Sequence, residues 1–116
     1  MSVNLITRDE FPLSGKLIND LDKLFVSILS SENIERSNIN LSFISSEEMH
    51  RLNKKFRGID KDTNVLSFEN QDISREHTKV LGDIAICYPY VVNEAIISEK
   101  DLDSHISHMF IHGILH

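Results

Sequence analysis

The chain has 116 residues, 41% apolar and 26% charged, with a formal net charge of −6. That length holds one hydrophobic core and one domain over residues 1–116, not two. No run of about 18 apolar residues occurs, which argues against a membrane span, and the acidic balance argues against indiscriminate nucleic-acid binding.

The opening Met1–Glu10 lacks a basic segment ahead of an apolar one, so no secretory signal is expected. A short strand is predicted over Val3–Thr7. Leu17, Ile18, Leu21, Leu24, Phe25, Ile28 and Leu29 then recur at helical spacing and predict an amphipathic helix over Gly15–Ser30, with Ser14 as N-cap. Asn40–Ile44 alternates as a strand does, Leu41 and Phe43 sharing a face. Ser45 and Glu48 have capping-box spacing. The helix they open places Met49, Leu52 and Phe56 on one side and ends near Arg57-Gly58, where glycine suits a left-handed cap. Five of the twelve basic residues, Arg51, Lys54, Lys55, Arg57 and Lys61, crowd this helix end and the loop after it, against one acid, Asp60. Such segregation permits a basic groove on an acidic protein; it also suits solvated cations at a helix C-terminus.

Val65–Phe68 and Leu81–Tyr88 read as strands, and the polar stretch Glu69–Lys79 as the loop between them. Gly82 inside the second strand marks a bulge or a close backbone approach. Cys87, the single cysteine, cannot form an internal disulfide. It lies in an apolar run as a small hydrophobe would, and a cytoplasmic, reducing setting fits. Pro89 opens a helix with Val91, Val92, Ala95 and Ile96 on its buried side. Asp101 or Asp103 starts the last helix, which runs to His116. The order β-α-β-α-β-β-α-α predicts an α+β fold with a single mixed sheet covered by helices.

That last helix carries His105, His108, His112 and His116 at steps of 3, 4 and 4. At about 100° per residue they fall on an arc roughly 80° wide. His112 and His116 form an H-x-x-x-H pair, one helical turn apart, so both imidazoles can reach one ion. Zinc suits imidazole, and nickel or copper can also bind such a pair. In the protease motif H-E-x-x-H a glutamate follows the first histidine as general base. Here Gly113 stands there, which counts against a peptidase. A glycine within a helix costs about 1 kcal/mol relative to alanine, and close approach of another backbone or of a substrate would account for it.

His108-Met109-Phe110-Ile111-His112-Gly113-Ile114-Leu115-His116 resembles the first half of the H-G-x-L-H-x-x-G-x-D-H signature of the YbeY endoribonuclease family. Three more segments match in order. Leu52–Phe68 resembles that family's stretch from L-N to T-N-V-L-S-F, Leu81–Cys87 resembles its L-G-D-x-x-I-C strand, and Val91–Ala95 resembles the helix that follows. Together they span most of residues 41–116.

The resemblance implies a metal-dependent endoribonuclease specific for single strands. Its implied work is ribosomal RNA maturation, including the 3′ end of 16S RNA, and ribosome quality control at the small ribosomal subunit. It implies one zinc ion held by three histidines, His112 and His116 being the first two. The third would lie six positions past His116, beyond the end of this chain, so the expectation for these 116 residues alone is an incomplete site with little activity. Arg57 is the expected catalytic cation, stabilising charge on the phosphoryl oxygens, and Lys54, Lys55 and Lys61 would track the RNA backbone. Asp83 and His108 would stand behind the ligands, orienting them; a turn cap and a solvated histidine are their respective alternatives. His105 is read in the same way as His108. Thr63 and Ser67 are candidates to line the cleft. Two other functions compete: a non-catalytic ribosome assembly factor, which the acidic charge favours, and a metallohydrolase acting on another ester.

Overall fold

The computed structural model describes residues 2–32, 37–69 and 80–115. The elements are β1 (Ser2–Ile6), α1 (Gly15–Ser31), β2 (Asn38–Ile44), α2 (Ser46–Arg57), β3 (Val65–Glu69), β4 (Val80–Cys87), α3 (Tyr88–Ile97) and α4 (Leu102–Ile114). Their order is the predicted one, and the α+β expectation holds. The four strands form one mixed sheet in the order β1-β2-β4-β3. β1 and β4 run parallel to β2, and β3 pairs antiparallel with β4, leaving β3 at an edge. Apart from Glu69, which ends β3, the predicted 69–79 loop lies outside the described residues, as does His116.

Local chemistry sets the helix ends. The Ser14 hydroxyl accepts from the Leu17 N–H at 3.0 Å. Ser45 and Glu48 complete the capping box, and Asp101 caps α4 by accepting from the Ser104 N–H at 3.1 Å. Gly58 closes α2 at φ 70°, a conformation glycine adopts without the cost a Cβ imposes.

Strand alternation divides the core in two. Ile84 and Ile86 face α1 and α4, packing with Leu17, Phe25, Ile106 and Phe110. Ala85 and Cys87 face α2, packing with Met49 and Leu66. Cys87 is buried, as expected for a hydrophobe, and burial pushes its thiol above the usual range. Three predicted core residues are corrected. Phe56 is 55% exposed. Its ring meets Phe68 edge-on, with centroids 5.1 Å apart, and the fully buried positions on that helix are Met49 and Asn53. Ile96 is 70% exposed: only the Val91–Ala95 line of α3 reaches the core, and Ile96 falls outside it. Ile18 is likewise at the surface of α1.

Gly82 answers to both sequence readings. The β2–β4 register shifts between Asn38 and Asn40, opposite Val80 and Asp83, and a Cβ on Gly82 would run into the Phe68 carbonyl oxygen of β3. Because that obstacle is backbone, Gly82→Ala should cost about 1–3 kcal/mol. It would appear as a lower urea midpoint with an unchanged slope, and an unshifted midpoint would refute the close approach. Among the described residues, no helix is long and apolar enough to cross a membrane.

Candidate functional site

Two helices end near β3, the edge strand of the sheet among the described residues, one from each face of the sheet. Between them lies a cleft of about 410 Å³ lined by Arg57, Thr63, Asn64, Val65, Leu66, Ser67, His112 and Gly113. Arg57 comes from the last turn of α2, and His112 from the last turn of α4. The structure therefore brings together Arg57, His112, Thr63 and Ser67, all singled out from the sequence.

The loop between α2 and β3 owes its course to a buried amide. Asn53, 1% exposed, donates from Nδ2 to the Lys61 carbonyl at 2.9 Å, and its backbone carbonyl accepts from the Ile59 N–H. At the far end of the loop the Asn64 carbonyl accepts from the Cys87 N–H at 2.9 Å. Both ends of the loop are thus tied to the scaffold, which presents Thr63 and Asn64 at fixed height beside Arg57.

Gly113 explains how His112 reaches the cleft. A Cβ there would stand 3.2 Å from two side-chain carbons of Ile84. The glycine lets α4 lie close on β4, at the level where Ser67 pairs with Ile84. What approaches Gly113 is thus a core side chain, and neither backbone nor substrate is needed to account for it.

The histidine stripe does not act as one unit. His105 is buried, with Nε2 2.9 Å from Glu94 Oε1 of α3. His108 is exposed and lines a separate cleft beside Lys16 and Asp20 of α1. It is not among the residues lining the cleft at the β3 edge, so the structure does not place it behind His112. Asp83 is also elsewhere. It accepts from Asn40 Nδ2 at 2.9 Å, and Asn40 Oδ1 accepts from Asn4 at 3.0 Å, an amide–carboxylate row across three strands. Its neighbour Ile84 points at α4, so Asp83 points to the opposite face. On that face it does not stand behind His112, and the hydrogen bond described for it joins β4 to β2.

Lys54, Lys55 and Lys61 are exposed, and none lines the cleft itself. Lys54 lies 3.9 Å from Asp60, and Lys55 lies over the Phe56 ring at 5.2 Å. A hydrogen bond from His50, with Lys54 nearby, holds the Asp60 carboxyl below its ordinary range. Among the described residues, no group of three or more His, Cys, Asp or Glu is placed to hold a metal; His112 is the described imidazole in the cleft. No acidic residue is among the described residues lining it, although the chain carries net charge −6.

Sequence reasoning missed Asn64 and Glu94. Asn64 Nδ2 lies 3.4 and 3.3 Å from the two Glu94 carboxylate oxygens. Both residues fall within matched segments, but no spacing rule joins positions thirty apart.

Fold and cleft together define a class: an α+β domain with a guanidinium, hydroxyls and an imidazole gathered at one sheet edge, a lining suited to an anionic ester. Comparison with known proteins narrows this. A sequence model of the family described as endoribonuclease YbeY matches residues 7–116. Endoribonuclease YbeY of Francisella philomiragia is 36% identical over 123 residues, covering 100% of this chain and 75% of that protein. That of Francisella tularensis subsp. novicida is also 36% identical, with 73% of it covered. The solution structure of TM1509 from Thermotoga maritima superposes with a TM-score of 0.63 at 26% identity, over 98% of this chain and 70% of that one. The chain belongs to the YbeY family of endoribonucleases.

Proposed function

We propose that this protein is a zinc-dependent endoribonuclease that cuts single-stranded RNA in the cytoplasm. Its role in this reading is ribosomal RNA maturation, the 3′ end of 16S RNA included, and ribosome quality control at the small subunit. The observation that carries the nuclease reading is the convergence of Arg57 and His112 in one cleft whose described lining contains no acid.

Arg57 would bind a phosphoryl oxygen through its forked N–H donors, and its charge would meet the negative charge that gathers there in the transition state. The Thr63 and Ser67 hydroxyls and the open edge of β3 offer further hydrogen bonds to the sugar–phosphate backbone. Lys54, Lys55 and Lys61 stand outside the cleft, where they would attract RNA without choosing its sequence. The imidazole donor set fits zinc as far as His112, which lines the cleft, with His116 four residues on in the sequence and a third histidine from the family motif. Zinc held there would supply Lewis-acid chemistry, lowering the pKa of a water toward about 7. Gly113 leaves no carboxylate next to His112, so the peptidase arrangement is absent.

The test is incubation of the full-length protein with labelled single-stranded RNA, duplex RNA and single-stranded DNA. Cleavage should be confined to the single-stranded RNA, stop with chelator and return with added zinc. RNA bound but intact under every metal condition would favour the assembly-factor reading. Cleavage indifferent to chelator would remove zinc.

A further inference from the structure

The mechanism above leaves a buried polar chain unused. His105 of α4 is 7% exposed, and its Nε2 meets Glu94 Oε1 at 2.9 Å. Its Nδ1 is buried and has no hydrogen-bond partner among the described residues. Glu94 of α3 in turn accepts from Asn64 Nδ2, and Asn64 lines the cleft. Three elements therefore converge on one carboxylate, and the row ends at the proposed active site.

Chemistry fixes the direction of the row. A carboxylate only accepts, so both groups facing it must donate. His105 is then protonated at Nε2, and Asn64 turns its NH₂ toward Glu94. The carboxamide is thereby held against a flip, and its oxygen is the end it can offer a ligand. The backbone carbonyl of Asn64 is engaged separately, by the Cys87 N–H, so the side chain is not needed to hold the loop.

Resting on the nuclease reading, we propose that Asn64 is a substrate contact whose carboxamide oxygen accepts from a ribose 2′-hydroxyl, with Glu94 and His105 as its positioning residues. Arg57, Thr63 and Ser67 suit the sugar–phosphate backbone, so that part of the strand lies in the cleft. The one hydrogen-bond donor of an RNA backbone is the 2′-hydroxyl, and DNA lacks it. A fixed acceptor at this place distinguishes the two polymers, whereas Arg57 serves both alike.

The test is fluorescence anisotropy with a labelled single-stranded RNA and the DNA of the same sequence, in chelator so that neither is cut. Asn64→Ala should weaken RNA binding roughly three- to tenfold, the scale of one lost hydrogen bond, and leave DNA binding unchanged, with a melting curve confirming that the variant is folded. Glu94→Gln keeps the size but cannot accept from both neighbours on both atoms, and should weaken RNA selectively too. In the double variant the losses should not add, since Glu94 acts through Asn64. Equal loss on RNA and DNA from Asn64→Ala, or no loss, would overturn the contact. Additive losses in a folded double variant would overturn the positioning role. A wild-type protein that binds and cuts no RNA would instead bring down the nuclease reading, a separate result.

Discussion

Arg57→Ala should slow cleavage of single-stranded RNA about 100- to 1000-fold, the usual effect of removing one preorganised donor from a developing anion. Zinc content should not change, because a guanidinium is no ligand. Arg57 is exposed on the last turn of α2, so its truncation should shift stability by no more than about 0.5 kcal/mol. The predicted loss is therefore in rate and not in folded protein. Arg57→Lys should recover only part of the rate, since an ammonium lacks the planar fork that grips two oxygens. Single-turnover cleavage beside a melting curve and a metal assay separates these effects. An unaltered rate in a folded, zinc-loaded variant would take Arg57 off the catalytic list.

Much of this arrangement was legible because it is local. The Ser45–Glu48 box, the Ser14 cap, the Gly58 stop and the 3.6-residue stripe of α1 each involve residues within a turn or two. The alternation of β2 was legible as well, and so was the weak point of β4 at Gly82. What escaped was whatever needed a partner from another element. Asp83 was placed near the metal because its segment matches; only the packing of α4 against Ile84 shows that it points to the far side of the sheet. The four histidines share an arc in sequence, yet α3 takes His105, a cleft beside α1 receives His108, and the β3 edge receives His112. A helical wheel gives direction and not neighbours. Gly113 could be recognised as needing a close approach, but not that Ile84 makes it. The tie between Asn64 and Glu94 crosses from the loop before β3 to α3, and no periodicity encodes it.

That division of the histidines yields the sharpest test of the metal proposal. His112→Ala should bring bound zinc to background and lower RNA cleavage on the order of a thousandfold. A bound ion contributes several kcal/mol of charge stabilisation, and each ~1.4 kcal/mol is tenfold in rate. His108→Ala should leave both close to wild type, because its side chain lies in a different cleft beside Lys16 and Asp20. Sequence spacing alone treats the two alike: each stands four residues before another histidine of the stripe, His112 and His116 respectively. Zinc titration by calorimetry, with metal content measured after dialysis, distinguishes them directly. If His108→Ala loses the metal and His112→Ala keeps it, the ion belongs to the α1 side of α4, and Arg57, on the far side of the β3 edge, cannot be its catalytic partner. If both variants lose it, His108 shares the ion with His112, as their four-residue spacing permits, and the assignment of His108 to a separate cleft falls.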